Sequence, residues 1–222
     1  YPGNLPAALE RAKLENLTSA ITETVGQRPD IYKAGRYGLG ANSTATLEAL
    51  GYRIDMSVVP HTDFSDDGGP DFAAFDFRPF WFGRQGDLLE IPLACGFHGR
   101  LRHYGQSLYP RITRPASMRV RLPGIFARAG LLERIRLTPE GVDLAANKRL
   151  TRALVDQGCQ LFTLTYHSPS LTPGMTPYVR DQADLERFLG ELEAYLDFFL
   201  EDLGGRAITP DDAYDWARQQ LP

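Results

Sequence analysis

A strand, a glycine-rich loop, a helix and a second strand follow one another between Ile31 and Val59, and that order constrains the fold most. Ile31-Tyr32-Lys33-Ala34 reads as a short strand, and Gly35-Arg36-Tyr37-Gly38-Leu39-Gly40 as a loop whose glycines let the backbone turn sharply. Asn42 and Ser43 cap a helix that runs through Leu47 and Leu50 to Gly51, and Tyr52 to Val59 is again a strand. Such a unit is the repeating element of parallel-sheet folds.

The alternation continues on both sides. Pro6 to Val25 carries Leu9, Leu14, Leu17, Ile21 and Val25 at helical spacing and stops at Gly26. Leu88 to Leu93 is a strand, Thr138-Pro139 opens a helix that runs to about Asp156, and Leu161 to Tyr166 is a further strand. Asp181 caps an amphipathic helix, and Thr209-Pro210-Asp211-Asp212 starts the last one. Residues 94–136 carry glycine, proline and arginine without periodicity, so an irregular excursion is expected there, with one short helix near Gly124 to Ala129. The expected class is α/β with parallel strands, in a single domain over residues 1–222.

The chain has a formal net charge of −4 and no long run of one sign. Its densest basic stretch, Arg111 to Arg136, is diluted by proline and glycine, so no nucleic-acid partner is expected. No apolar run has the length of a membrane span. Cys95 and Cys159 lack metal-like spacing and are expected to be buried free thiols. The first residue is Tyr1 rather than Met, which is the pattern of a processed chain or of a piece of a longer one.

His167 is the leading candidate for chemistry. The segment LFTLTY delivers it to a strand end, and the loop beyond it is rich in Ser, Pro, Thr and Gly. An imidazole there is either an acid or base or a structural hydrogen-bonding residue. Arg36, also at a strand end, can hold a carboxylate in bidentate geometry. Asp55 and Asp63 are the candidate partners, since an aspartate on or just past a buried strand needs pairing, to Arg36 or to His167. Paired with His167, either would fix one ring tautomer and raise its pKa, the condition for a general acid near neutrality. The GRYGLG spacing fits neither nucleotide fingerprint, and neither His98 with His103 nor His61 with Asp63 makes a metal site by spacing. Ser168 lacks the nucleophile elbow.

Several of these stretches together resemble a known family. They are Arg36-Tyr37-Gly38, the strand at Asp55-Met56-Ser57-Val58 leading through Asp63-Phe64-Ser65 to Gly69-Pro70-Asp71-Phe72, Leu89-Glu90-Ile91-Pro92, and Tyr166-His167-Ser168-Pro169-Ser170-Leu171 with Thr176-Pro177-Tyr178-Val179-Arg180. The resemblance, over about residues 3–206, is to the polysaccharide deacetylases of the NodB-homology type, carbohydrate esterase family 4, in a WalW-like bacterial branch. It implies a distorted (β/α) barrel, incomplete at its N-terminus, that removes N-acetyl groups from an amino sugar in a polysaccharide or oligosaccharide with a divalent metal, often zinc.

Carried over by position, His167 would be the general acid toward the leaving amine and Arg36 the arginine that orients the catalytic base. Asp63, or less fittingly Asp55, would tune the histidine. Tyr37 and Leu164 would wall the acetyl pocket, and Trp81, in the aromatic segment of residues 72–82, is a further substrate-binding candidate. The family's base and metal ligands would lie upstream of residue 1, so this chain is expected to hold the acid side of the site and to be inactive alone. Phe64 to Pro70 looks like the family's first motif but follows the arginine motif, and is read as a decoy. A cytoplasmic location is slightly favoured, any leader lying upstream. The alternatives are an inactive glycan-binding domain and a barrel glycoside hydrolase with two opposed carboxylates.

Overall fold

The computed structural model describes residues 1–220. In chain order its main elements are α1 (Ala7–Val25), β1 (Ile31–Tyr32), α2 (Ser43–Ala49), β2 (Ile54–Asp55), β3 (Phe80–Phe82), β4 (Leu88–Glu90) and β5 (Cys95–His98). There follow α3 (Gly105–Ile112), α4 (Pro115–Arg119), α5 (Leu122–Arg128), β6 (Glu133–Arg136), α6 (Leu144–Val155), α7 (Gln182–Asp197) and α8 (Pro210–Gln220). The fold is mixed α/β with a small parallel sheet. Two compact units form: Tyr1–Leu93 together with the stretch from Ile208 onward, and Ala94–Ala207.

The first unit is built on a sheet of order β1-β2-β4-β3, in which β1, β2 and β4 are parallel and β3 runs antiparallel to β4. Ile54 and Leu89 are fully buried, as central strands of a parallel sheet require. α1 ends at Gly26, which takes φ 77° and donates its N–H back to Thr22. Its buried stripe is Glu10, Leu14 and Thr18, whereas Leu9, Leu17 and Val25 stay exposed. Polar residues on that face are partnered in part: Ser43 donates to Glu10 Oε1 at 2.5 Å and the Thr18 and Tyr52 hydroxyls meet at 2.9 Å, while Glu10 Oε2 is buried without a hydrogen bond among the described residues.

The second strand of the founding unit is shorter than expected. After Asp55 side chains share the pairing with backbone: Ala34 N–H donates to Ser57 Oγ at 2.8 Å and Val58 N–H to Glu90 Oε1 at 2.9 Å, beside Met56 N–H to Tyr32 O at 2.9 Å and Leu93 N–H to Val58 O at 3.0 Å. α8 begins on the expected Thr-Pro device, with Asp212 N–H donating to Thr209 Oγ1 and Thr209 N–H to Asp212 Oδ2, a reciprocal capping box.

The second unit departs further from expectation. The stretch read as irregular holds an antiparallel pair, β5 with β6, and the short helices α3 to α5, packed through Leu101, Leu108, Tyr109, Leu122 and Phe126 onto Phe97, Ile112 and Leu132. The short helix expected near Gly124 to Ala129 is α5, while α3 and α4, at eight and five residues, are too short to display a period and were not legible in the sequence. Leu161 to Tyr166 is not a named ladder strand; its ties include Thr165 N–H to Leu137 O at 3.4 Å and a bond from Ala94 N–H to the Thr163 hydroxyl. The helix expected from Thr138 starts instead at Leu144, capped by Asp143, which accepts from Ala146 N–H at 2.7 Å. Thr138-Pro139 forms a separate buried turn. Asp181 caps α7 as expected, accepting from Asp184 N–H. Cys95 and Cys159 are buried thiols outside any disulfide, as expected.

Candidate functional site

His167 stands at the start of a helical turn, Ser168–Leu171, where the extended segment ends. Its carboxylate partner is Glu140. Glu140 Oε2 lies 2.7 Å from His167 Nδ1, and Glu140 Oε1 accepts from the His167 backbone N–H at 2.9 Å and from the Ser170 hydroxyl at 2.6 Å. The acid side chain is 2% exposed and the imidazole 67% exposed. A buried carboxylate thus grips one ring nitrogen and leaves Nε2 for a substrate.

The grip is itself held in place. Glu140 N–H donates to Thr138 Oγ1 at 3.1 Å, and Asn147, one turn into α6, donates from Nδ2 to Thr138 O at 2.9 Å and accepts from Thr138 N–H at 3.3 Å. Below the ring, Ser170 Oγ also meets Thr176 Oγ1 at 3.0 Å. Burial pushes the Glu140 pKa up, but the Ser170 hydroxyl, the His167 N–H and the His167 ring outweigh it and hold the carboxyl below its ordinary value. It is therefore an anion near neutrality. That is the state in which a carboxylate orients an imidazole.

Leu164 lies half-buried in the same extended segment as His167, in the second unit. Arg36, Tyr37, Asp55, Asp63 and Trp81 belong to the first. Arg36 sits on the turn after β1 with φ 55°, followed by Tyr37 at φ 61°. Two successive non-glycine residues in the left-handed region cost on the order of 1–3 kcal/mol each, a strain that clusters at functional loops. The guanidinium of Arg36 lies 4.5 Å over the Tyr1 ring, and among the described residues it joins no ion pair. Tyr37 is stacked on Phe64 at 5.9 Å.

Asp63 is an exposed turn former whose Oδ1 accepts from Ser65 N–H at 2.8 Å. The Ser65 hydroxyl and N–H hold its carboxyl below the usual value. Trp81 meets Tyr214 edge-on at 5.2 Å and lies under Arg218 at 5.5 Å.

Asp55 is fully buried at the end of β2, where its register neighbours are Tyr32 on β1 and Glu90 on β4. Ser57 donates to Asp55 Oδ1 at 2.5 Å. Burial raises the pKa of both carboxyls, that of Glu90 further, because its proximity to Asp55 adds to the effect. Tyr32 is pushed up to about 12, by burial first and then by Asp55 and Glu10. Two acids side by side in a dry rung share protons rather than ionise together.

Sequence reasoning missed both Glu140 and Glu90. Glu90 left a signal, a lone acid inside the apolar run LLEIPL. Glu140 left a fainter one, since after Thr-Pro it reads as a first-turn acid of a helix.

Metal chemistry is implied by the resemblance. Among the described residues no group of three or more His, Cys, Asp or Glu side chains could hold an ion.

No family model, curated protein or solved structure matches the chain.

Proposed function

We propose that this chain carries the general-acid side of a carbohydrate N-deacetylase, with His167 as the acid. The observation that supports it best is the Glu140–His167 contact at 2.7 Å between a buried carboxylate and an open imidazole. In hydrolysis of an acetamide the tetrahedral adduct collapses only when its nitrogen leaves as an amine. The protonated ring of His167 donates from Nε2 to that nitrogen as the C–N bond breaks, and the electron pair stays on nitrogen. Glu140 keeps the Nδ1 proton in place throughout, so the ring returns as the Nδ1–H tautomer.

Glu140 takes the orienting role for which Asp63 and Asp55 were candidates. Arg36 as orienter of the base, Tyr37 and Leu164 as pocket walls, and Trp81 as a sugar contact belong to the same proposal, on the strength of the resemblance. So does the distorted barrel, for which the parallel run β1-β2-β4 is partial support. The metal and the base that activates water would be supplied outside the described residues.

The test is acetate release from N-acetylated chito-oligosaccharides by the full-length protein with divalent metal added. His167→Ala is expected to lower kcat on the order of 10²-fold or more, with KM changed far less. Wild-type turnover by that variant would remove His167 from the reaction. Vigorous turnover by residues 1–222 alone would refute the division of the site.

A further inference from the structure

Between Glu90 and Glu133 the chain has no acidic residue and no lysine, yet it has seven arginines. Outside that stretch the balance is reversed, with 17 of the 24 basic residues against all 28 acidic ones. A protein of net charge −4 thus carries a segment of +7, and five of its arginines, Arg111, Arg114, Arg119, Arg121 and Arg128, lie on or between α3, α4 and α5 in the second unit. Arg114, Arg119, Arg121 and Arg128 are exposed, and among the described residues none of them is held in an ion pair.

Apolar side chains are interleaved with these charges. Met118, Val120 and Ile125 are 53%, 63% and 51% exposed, while Leu122 and Phe126 of the same segment are turned onto the Phe97-Ile112-Leu132 core. A scattered exposed apolar residue is ordinary; three within eight positions, set among unpaired arginines, are a patch.

We propose that this patch seats the protein on an anionic lipid surface. Arginine forks bind phosphodiester oxygens in pairs, and the stretch uses arginine to the exclusion of lysine. Met118, Val120 and Ile125 have the flexible or branched aliphatic form that enters the acyl boundary, and they lack the flat rings on which a sugar would stack. The helices that carry them are short and lie at the surface, and no helix among the described residues is long and apolar enough to cross a membrane. The contact is therefore of the interfacial kind, with arginine stems lying along the apolar surface.

The experiment is co-sedimentation of the chain with vesicles of phosphatidylcholine, with and without about one third phosphatidylglycerol, at low and physiological salt. The protein is expected to pellet with the anionic vesicles only. Arg114→Glu with Arg128→Glu should weaken capture on the order of tenfold or more. Met118→Ser with Ile125→Ser should leave low-salt capture but abolish the part that survives physiological salt. Both pairs are exposed, and circular dichroism confirms the fold of each variant. No capture, equal capture by neutral vesicles, or indifference to the arginine pair would overturn the proposal. So would competition by dextran sulfate at unchanged strength in the Met118/Ile125 variant, which would mark a general polyanion surface.

Discussion

Glu140 holds His167 by ring, backbone and, through Ser170, by the turn beneath it, so removing its carboxylate has separable effects. Glu140→Ala leaves the buried Ser170 hydroxyl and the His167 N–H without their acceptor and is expected to cost about 2–4 kcal/mol in urea unfolding. Glu140→Gln keeps an acceptor and should cost less, while lowering deacetylation on the order of tenfold. Because the Glu140 pKa is depressed in the fold, its stabilisation is present above the unfolded carboxylate value and is lost as pH falls through the folded one. Acid unfolding curves should therefore show a shallower low-pH limb in Glu140→Gln than in wild type. Asp55 and Glu90 act with the opposite sign. Their raised values stabilise the fold below the unfolded carboxylate pKa, and that contribution fades as pH rises through the folded ones. Glu90→Gln keeps an acceptor for Val58 N–H and removes the titrating group, so its stability relative to wild type should increase from acid toward neutral and alkaline pH.

α6 links the strand-like backbone of its unit to the candidate site, because Asn147 on its first turns holds Thr138 and so the turn bearing Glu140. Asp143→Ala removes its N-cap and should cost about 1 kcal/mol, measured by chemical denaturation. Asn147→Ala should cost more and also reduce activity, since it frees the turn that aims Glu140. The elements legible in the sequence were those with strong local rules: α1 stopped by Gly26, α7 capped by Asp181, α8 opened by Thr209-Pro210, and the β1-α2-β2 unit. Those decided by tertiary context were not. Thr138-Pro139 obeys a helix-start rule yet forms a turn, because Asn147 bonds both the N–H and the C=O of Thr138 there. Leu161 to Tyr166 has strand composition but joins no named ladder, and there Ala94 N–H donates to the Thr163 hydroxyl rather than to a backbone carbonyl. His167 itself was legible as a loop imidazole. Its partner was not, because no local pattern marks an acid 27 residues away as buried against it.

Charge and polarity are divided over the molecule as a whole. Three of the acids with shifted titration are buried, Glu140 in one unit and the Asp55-Glu90 rung in the other, while Arg114, Arg119, Arg121 and Arg128 are exposed along α4 and α5. Glu140 adds stability once ionised and the Asp55-Glu90 rung loses its contribution as it gives up its proton, so thermal unfolding followed from acid to alkaline pH should show their joint contribution rise and then fall. The functional account depends on one orientation within that frame, the Nδ1 of His167 facing Glu140 and Nε2 facing out. Free imidazole side chains favour the opposite tautomer, with the proton on Nε2. The decisive measurement is a long-range ¹H–¹⁵N spectrum of the histidine ring at a pH where His167 is neutral, in wild type and in Glu140→Ala. The account expects the Nδ1–H tautomer in wild type and a return toward Nε2–H in the variant; an Nε2–H ring in the wild-type protein would contradict it.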